Sequence, residues 1–320
     1  MENNLFINKF QPLFFADFEM DKDFSQILKT MIKINKMNII LIGDIGSGKT
    51  TLLNAIIKEY YLNTPKNYND DVLYINSLKE QGINYYRNDV KTFCQTACSI
   101  KNKKKIVILD DIDLMNDQSQ QVFRNCIDKF SHNVHFISSC SNIQKVIESL
   151  QSRFTILNIK PIQRENLYKI MKKIQLSENI EMDEESEDFI LNICNNTVKI
   201  LINYMEKLKL LNKKVTLEIA NNICTNISFL MLANYTEFLK QKNIKNAISL
   251  FYSIYDKGYS VMDILDNYYL FVKMTHLLTE DEKYKIIPYI CKYITIFHNI
   301  HEDEIELALF TNNLITILHN

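Results

Sequence analysis

A glycine-rich turn between two apolar stretches carries the clearest chemistry in the sequence. The turn contains Gly43, Gly46 and Gly48, followed by Lys49 and Thr50, in the spacing Gly-x-x-x-x-Gly-Lys-Thr. Glycines let a backbone wrap around a polyphosphate, and the N-terminus of a following helix adds partial positive charge. Lys49 is predicted to reach the β- and γ-phosphates, and the Thr50 hydroxyl to ligate Mg²⁺. We expect this segment to bind a nucleoside triphosphate; the alternative is a chance glycine-rich turn.

Two carboxylates follow another apolar stretch and are candidates to hold the metal ion. Residues 106–109 lead directly into Asp110 and Asp111. The carboxyl ends of parallel strands face the ligand crevice of an α/β sheet, so Asp110 is placed to bind Mg²⁺. Asp111 stands where an ATPase commonly carries the acid that orients the attacking water. The alternative is that both carboxylates cap the N-terminus of a helix.

The elements that position these residues alternate between strand and helix. Short apolar runs predict strands at residues 39–42, 72–76, 106–111, 135–139 and 156–159. Helical patterns fall at residues 21–36, 49–57, 88–99, 118–130 and 143–150. Strands that alternate with helices through short links predict an α/β domain with a parallel sheet.

The pattern after residue 160 becomes helical throughout. Pro161 marks the change, and helices are predicted at residues 163–173, 184–195, 198–211 and 217–224. A third, all-helical block runs from about residue 228 to the C-terminus. We therefore predict a nucleotide-binding domain at 1–160, a helical lid at 161–227 and a C-terminal helical domain at 228–320. The apolar residues of the last block suit either a bundle core or assembly between chains.

Composition limits the classes of function. The 320 residues are 47% hydrophobic, enough for a sizeable core, and the net charge of −1 gives no global basic field. Any contact with nucleic acid must therefore be local or shared with partner chains. Seven cysteines without paired metal-ligand spacing predict reduced, buried thiols in an intracellular protein. No signal peptide or long uncharged apolar run is evident, so no membrane partner is expected.

Two further segments leave alternatives open. The lysine run at residues 101–105 suits either a local nucleic-acid patch or a solvated turn before a buried strand. Short charge runs usually lie at the surface, which favours the turn. The aromatic cluster that begins at Phe10 and Pro12 can pack over a base or over the core, and its spacing alone favours the core.

These motifs, in this order, resemble the small subunits of replication factor C, the sliding-clamp loaders of the AAA+ class. Residues 9–12 resemble the family's Lys-Tyr-Arg-Pro segment, and 75–83 its Leu-Asn-Ala-Ser-Asp-Glu-Arg-Gly-Ile stretch. Residues 108–137 and the Ser-Arg pair at 152–153 follow the continuous signature that starts at the Walker B acid. Residues 257–260 resemble the Asn-Gly-Tyr-Ser turn of the family's C-terminal collar. The abundance of Asn, Lys and Ile favours an AT-rich source, such as a giant DNA virus or an AT-rich eukaryote.

The resemblance implies a role for each matching residue. The residues implied to bind ATP are Gly43, Asp44, Ile45, Gly46, Ser47, Gly48, Lys49, Thr50, Thr51, Phe10, Pro12, Ser141, Asn142 and Lys199. The implied Mg²⁺ ligands are Thr50 and Asp110, and the implied DNA contacts are Arg87 and Lys91. Asp111 is the implied catalytic acid. Arg153 is implied to be an arginine finger that reaches the ATP of a neighbouring subunit, although its spacing alone equally suits a surface salt bridge.

The resemblance also implies partners, and the departures from it imply slow chemistry. The implied partners are other clamp-loader subunits in a hetero-oligomeric ring, a sliding clamp and primer–template DNA, in the nucleus or wherever viral or cellular DNA is replicated. Asp111 stands in place of the family's Glu, and Lys199 in place of an Arg. A weak DNA-dependent ATPase is therefore expected. The alternatives are a structural ring subunit with little or no hydrolysis, a related AAA+ initiator or helicase loader, and a small-molecule P-loop kinase.

Overall fold

The computed structural model of the protein describes residues 5–62, 68–77, 83–194, 196–224, 227–297 and 301–319. The chain falls into two units. The first contains Met1–Ile174 and Asn196–Asn203, and the second contains Gln175–Asn195 and Tyr204–Asn320. The predicted lid at 161–227 is thus shared between the two units, and the division into three domains stays a prediction.

The first unit is built on a parallel sheet. Among the described residues its strands are β1 (Ile39–Ile42), β2 (Val72–Asn76), β3 (Lys105–Asp110), β4 (Val134–Cys140) and β5 (Thr155–Asn158). The strand order is β2-β3-β4-β1-β5, and neighbouring strands are parallel. All five strands lie within one residue of their predicted bounds, and the predicted α/β class is confirmed. The carboxyl ends of β1, β3 and β4 therefore meet at one edge of the sheet.

Helices cover both faces of this sheet. The helices of the first unit are α1 (Phe6–Lys9), α2 (Lys22–Lys33), α3 (Lys49–Tyr60), α4 (Ile83–Gln95), α5 (Asp117–Phe130) and α6 (Glu148–Gln151), and α7 (Arg164–Glu178) is shared between the two units. One core cluster joins α3 to Leu41, Ile108 and Ile137, while a second contains Leu109 and Phe136. The inner strands β1, β3 and β4 are buried along nearly their whole length, and β1 and β3 are correspondingly apolar runs without alternation, whereas the outer strands β2 and β5 expose Tyr74 and Ile156.

Several helical predictions were wrong at their bounds: the helices predicted at 21–36, 49–57 and 163–173 are α2 (Lys22–Lys33), α3 (Lys49–Tyr60) and α7 (Arg164–Glu178). Two others differ more. The helix predicted at 88–99 is α4, which begins at Ile83 and ends at Gln95. Tyr86, Val90 and Cys94 are buried at four-residue steps, so the apolar stripe starts earlier than predicted. The helix predicted at 143–150 is interrupted: a 3₁₀ turn at Ile143–Lys145 is separated from α6 by residues with extended backbone angles.

The lysine run begins as an exposed turn at residues 101–102, as favoured from the sequence, but its last three lysines do not form a free basic patch. Lys103 Nζ donates to Tyr60 O, the last residue of α3, at 2.6 Å. Lys104 Nζ donates to Ser131 O, the C-cap of α5, at 3.3 Å, and Lys105 Nζ donates to Phe93 O in the last turn of α4 at 3.4 Å. Carbonyl groups at helix C-termini lack intrahelical partners and carry partial negative charge. The run thus ties three helix ends to the amino end of the sheet.

The second unit is helical. Its further helices, with α9 shared between the units, are α8 (Glu184–Ile193), α9 (Val198–Leu210), α10 (Leu217–Cys224), α11 (Phe229–Lys240), α12 (Ile244–Tyr255), α13 (Val261–Met274), α14 (Glu280–Phe297) and α15 (Ile305–His319). Tyr235 stacks on Phe251 with ring centroids 3.6 Å apart, and Tyr268 meets Tyr235 edge-on. Tyr268 is fully buried, so it belongs to the bundle core. None of the helices in the described ranges is long and apolar enough to cross a bilayer.

The seven cysteines are free thiols in two kinds of surroundings. Those that are buried, as predicted, are Cys94, Cys126, Cys140, Cys194 and Cys224. Cys98 is half-buried and Cys291 is exposed, so the prediction of burial was wrong for Cys291. Burial raises the pKa of the Cys94 and Cys140 thiols to about 12, which keeps both protonated at neutral pH.

Candidate nucleotide-binding site

The loop between β1 and α3 has a backbone that only glycine adopts readily at two positions. Gly46 has φ of 79° and Gly48 has φ of 88°, and Gly48 is also the N-cap of α3. A Cβ at position 46 would lie 2.8 Å from Thr197 Cγ2, and one at Gly43 would lie 2.6 Å from Ser47 Oγ. The loop is therefore closed from outside by Thr197, and the N–H groups at the start of α3 face it.

Lys49 is buried inside this loop. Its side chain is 7% exposed, and Nζ donates to Gly43 O at 2.8 Å, Asp44 O at 3.0 Å and Ser141 Oγ at 3.0 Å. A buried ammonium whose partners are all neutral is a site that favours an anion. Ser47 Oγ is buried and has no hydrogen-bond partner within the described residues. Both observations fit a phosphate group in the loop.

Ser141, and not Asn142, is the polar side chain that reaches Lys49. The Asn142 side chain instead accepts from Gln144 N at 2.9 Å and caps the 3₁₀ turn after β4. The backbone N–H groups of Ser141 and Asn142 both donate to Asp113 Oδ2, at 3.3 and 3.1 Å. Asp113 therefore fixes the segment that carries Ser141 beside the loop.

Asp110 is the centre of a hydroxyl network at the carboxyl end of β3. It is 5% exposed, and its Oδ2 accepts from Thr50 Oγ1 at 2.9 Å and from Tyr74 OH at 2.5 Å. Its other oxygen, Oδ1, accepts from Ser139 Oγ. A carboxylate and a hydroxyl are the hard oxygen ligands that Mg²⁺ prefers, and phosphate oxygens complete its shell in nucleotide sites. Thr50 and Asp110 thus fit the predicted metal site.

Asp111 has a strained backbone and a side chain that caps nothing. Its backbone is in the left-handed region, with φ of 56° and ψ of 54°. Asp111 occupies the N-cap position of the 3₁₀ turn Ile112–Leu114, but its side chain accepts no capping hydrogen bond from that turn. Its N–H donates to Ser139 Oγ at 2.9 Å. Burial, and then the charge of Asp110, raise the pKa of Asp111. The N-cap alternative is therefore wrong for the side chains of both acids, since Asp110 lies within β3.

Arg153 lies at the amino ends of the strands, whereas Lys49 lies at their carboxyl ends. It precedes β5, whose first residue Thr155 pairs with Ile39 at the start of β1, whereas the loop follows the end of β1. The guanidinium donates to Ser149 O at 2.7 Å and Ser152 Oγ at 2.8 Å. It also lines a cavity of about 330 Å³ together with His135. Within one chain, the structure does not bring Arg153 to the phosphate loop.

The remaining predicted residues lie at several places in the first unit. Pro12 lines a cavity of about 360 Å³ beside α3 and β2, whereas Phe10 packs edge-on against Phe6. Thr51 is half-buried in the first turn of α3, and Lys199 is exposed in the first turn of α9. The exposed predicted residues of the loop and of α4 are Asp44, Ile45 (88% exposed), Arg87 and Lys91. Residues 78–82 of the stretch resembling the family lie outside the described residues.

Sequence reasoning missed Tyr74, Ser139 and Thr197. Ser139 ends an apolar strand next to β3, so the strand-end rule that selected Asp110 would also have selected it. Tyr74 pairs with Ile108 in the sheet, two residues before Asp110 on the neighbouring strand, and only the register reveals that contact. Thr197 follows a helix far along the chain, and no local signal places it at Gly46.

Comparisons with known proteins agree with this geometry. Residues 39–161 match the family described as ATPase family associated with various cellular activities (AAA). The replication factor C small subunit of Sulfurisphaera tokodaii is 27% identical over 314 residues, which cover 96% of this chain and 93% of that one. Replication factor C subunit 5 of Homo sapiens is 24% identical over 89% of this chain and 87% of its own length. The chain is thus similar to replication factor C small subunits over nearly its whole length, and its residues 39–161 match the AAA family of ATPases.

Other replication factor C relatives match over different lengths. A putative small subunit of Acanthamoeba polyphaga mimivirus is 25% identical over 90% of this chain and 89% of its own length. The small subunit of Sulfolobus acidocaldarius is 29% identical over 64% of this chain and 62% of its own length. Among solved structures, the Thermotoga maritima RuvB Holliday junction branch migration motor is similar with a TM-score of 0.55 and 14% identity, over 73% of this chain and 80% of that one. That similarity confirms the AAA+ fold alone.

Proposed function

We propose that this chain is an ATP-binding subunit of a clamp loader, which opens a ring-shaped clamp and loads it onto primer–template DNA during replication. One observation carries the proposal: the phosphate loop with Thr50 and Asp110 lies at one edge of the sheet, and Arg153 lies at the other. A subunit with complementary halves at opposite edges assembles head to tail, which produces a ring or an open spiral. The similarity to replication factor C small subunits supports the same assembly.

The loop side is proposed to bind ATP with Mg²⁺. Lys49 and the N–H groups at the start of α3 bind the β- and γ-phosphates, and Thr50 and Asp110 hold the ion. When bound, Mg²⁺ supplies positive charge that neutralises the phosphate oxygens. Asp111 orients the attacking water and accepts a hydrogen bond from it. Because the Asp side chain is one methylene shorter than Glu, and its position is fixed by a strained backbone, we propose that hydrolysis is slow.

The opposite edge is proposed to complete the site of a neighbouring subunit. Arg153 is half-exposed, and its guanidinium is already oriented by Ser149 and Ser152. A guanidinium delivered from an adjoining chain stabilises the charge that develops on the phosphoryl group. ATP bound to one chain then holds two chains together, and hydrolysis loosens that contact.

DNA contact is proposed for the exposed face of α4. Arg87 and Lys91 lie four residues apart and are both exposed, so their side chains share one face of the helix. Such a pair contacts phosphates without reading bases, as a loader that acts on any primed site requires. Since the net charge of the chain is −1, the grip on DNA is shared among several subunits.

The test is reconstitution. The chain is co-expressed with candidate large and small loader subunits, and the purified assembly is assayed for clamp retention on primed circular DNA. We expect a stable assembly whose clamp loading requires ATP, and loss of that loading with Lys49→Ala but not with Lys29→Ala, a change at an exposed position of α2. No assembly with any loader subunit, or loading that is unaffected by Lys49→Ala, would contradict the proposal.

A further inference from the structure

Tyr74 lies outside every motif of the nucleotide site, yet its hydroxyl contacts the metal-binding acid. The residue lies on β2, at the edge of the sheet, in register with Ile108 on β3. Its OH donates to Asp110 Oδ2 at 2.5 Å, and the same oxygen accepts from Thr50 Oγ1 at 2.9 Å. One carboxylate oxygen therefore receives two hydroxyl groups from two different elements.

These contacts fix the rotation of the Asp110 carboxylate. With Ser139 Oγ on the other oxygen, donors from β2, α3 and β4 surround a side chain that is 5% exposed. Thr50 is the residue proposed to share the ion with Asp110, so its hydroxyl has two roles. Tyr74 donates to Oδ2 without itself being placed as a ligand. Groups of this kind orient the ligands of a metal site and change its affinity.

We propose that Tyr74 is a positioning residue that holds Asp110 in the orientation in which it binds Mg²⁺. The inference rests on the proposed function, because it requires a magnesium–nucleotide complex at Thr50 and Asp110. It adds a residue from the edge strand to a site otherwise built from the phosphate loop and the two central strands.

The surroundings of the Tyr74 ring make its hydroxyl separable from its packing. The residue is 40% exposed, and it lines the cavity of about 360 Å³ that also contacts Pro12, Asn54 and Lys58. Removal of the hydroxyl therefore leaves no enclosed void, and the change Tyr74→Phe tests the hydrogen bond alone. After this change Asp110 still accepts from Thr50 and Ser139.

The matched control is Tyr61→Phe. Tyr61 is buried in the same unit, and its OH donates to Lys104 O at 2.8 Å, just before β3 begins. That residue lies at the amino end of the strand, whereas Asp110 is at its carboxyl end. Both variants lose one phenolic hydroxyl with its hydrogen bond, but only Tyr74→Phe loses it at the metal acid.

The experiment titrates Mg²⁺ against the full chain with a fluorescent ATP analogue bound, and repeats the nucleotide titration in EDTA. Tyr74→Phe is expected to raise the half-saturating Mg²⁺ concentration about tenfold or more, the effect usual for such oriented partners. Affinity in EDTA should stay at the wild-type value, and Tyr61→Phe should match wild type in both titrations. Circular dichroism confirms that each variant is folded.

Three results would overturn the inference. A folded Tyr74→Phe protein with the wild-type Mg²⁺ requirement shows that the hydroxyl does not position Asp110. Equal weakening of nucleotide binding with and without Mg²⁺ shows that Tyr74 acts on the nucleotide instead of the ion. A wild-type chain that binds no nucleotide overturns the proposed function as well, which separates that failure from the first two.

Discussion

The guanidinium of Arg153 is held by the carboxylate of Asp128, with Nε 2.9 Å from Oδ1 and Nη2 3.4 Å from Oδ2. The hydrogen bond and charge of Arg153 lower the pKa of Asp128, so the pair is ionised at neutral pH. The side chains are 31% and 38% exposed, and a pair this open contributes little to stability. Its contribution is to the direction of the guanidinium, which is fixed before any neighbour arrives.

Replacement of Arg153 is expected to damage the assembly and spare the isolated chain. Arg153→Ala should lower ATP hydrolysis in the reconstituted loader by about 10³-fold or more, because a finger supplied in trans has at least that effect. Arg153→Lys keeps the charge but loses the planar fork, so it should recover only part of the rate. Nucleotide binding to the single chain should not change, and Lys129→Ala, an exposed change on α5, is the control. Equal loss of binding by the single chain would place Arg153 at its own nucleotide.

The side chain at position 111 is expected to set the hydrolysis rate without affecting binding. Asp111→Asn should reduce single-turnover hydrolysis at least tenfold, since the amide is a poorer acceptor for the attacking water. Asp111→Glu should raise the rate, because the longer side chain restores the reach lost in this sequence. Rapid-quench measurement of ATP hydrolysis checks both variants, with nucleotide affinity as the control. A rate indifferent to both changes would make this a structural subunit.

A methyl group at position 46 is expected to close the phosphate loop. Gly46→Ala should weaken nucleotide binding and destabilise the first unit by more than about 1 kcal/mol, through the left-handed backbone and the contact with Thr197. Gly258→Ala is the matched control, because Gly258 has φ of 94° but nothing within 4 Å of the added Cβ. Urea unfolding measures the stability of both variants. Adding Thr197→Ser to Gly46→Ala removes the Cγ2 that the new methyl group contacts, so any recovery of stability measures the contact separately from the backbone strain. Equal destabilisation by the two alanines would remove the steric argument.

The first unit is expected to become less stable as the pH is lowered, because of His135. Burial lowers the pKa of this imidazole from 6.5 to about 3. Between those values the unfolded chain binds a proton that the folded chain does not, so the unfolding free energy declines as the pH falls, by at most about 1.4 kcal/mol per unit. Urea titrations at pH 7.5, 6 and 5 measure the slope. His135→Gln should flatten it, whereas the exposed His132→Gln should not; an unchanged slope in His135→Gln would refute the assignment.

Lys103, which donates to the C-terminal carbonyl of α3, is expected to stabilise the first unit. Lys103 Nζ bonds to Tyr60 O and lies 4.2 Å from the centroid of the Tyr60 ring, so Lys103→Met should cost about 1 kcal/mol or more. Lys101→Met changes an exposed member of the same run and should stay within about 0.5 kcal/mol. Urea unfolding at one pH compares the two variants, and equal effects would mean that the run acts only through its charge.

Local signals predicted the strands of the sheet and selected Lys49, Thr50 and Asp110, which the structure places at the ends of neighbouring strands. Each strand is a short apolar run, and the phosphate loop is contiguous in sequence, so both could be predicted without tertiary contacts. The pairing of Thr50 with Asp110 followed from the rule that parallel strands end at one edge. Tyr74 could not be predicted that way, because its contact with Asp110 depends on the register of β2 against β3.

The lysine run shows what a charge pattern alone cannot predict, which is the hydrogen-bond partners of each lysine. Four lysines in five residues suggested a solvated surface, yet three of them donate to helix ends that lie far apart in sequence. The break at residues 143–150 has a similar cause, since Gln120 Oε1 accepts from Ile147 N and interrupts the helical ladder. In both places distant backbone groups decide the local conformation.

The placement of the loop and Arg153 on opposite edges of the sheet has an arithmetic consequence for any assembly. In an open arc of such chains, one terminal member has no successor to supply a guanidinium, so the arc contains one fewer complete hydrolytic centre than pockets. That last pocket can retain its nucleotide through many cycles. A subunit whose catalytic acid supports only slow hydrolysis can therefore occupy the terminal position without slowing the ATP-dependent cycle of the assembly.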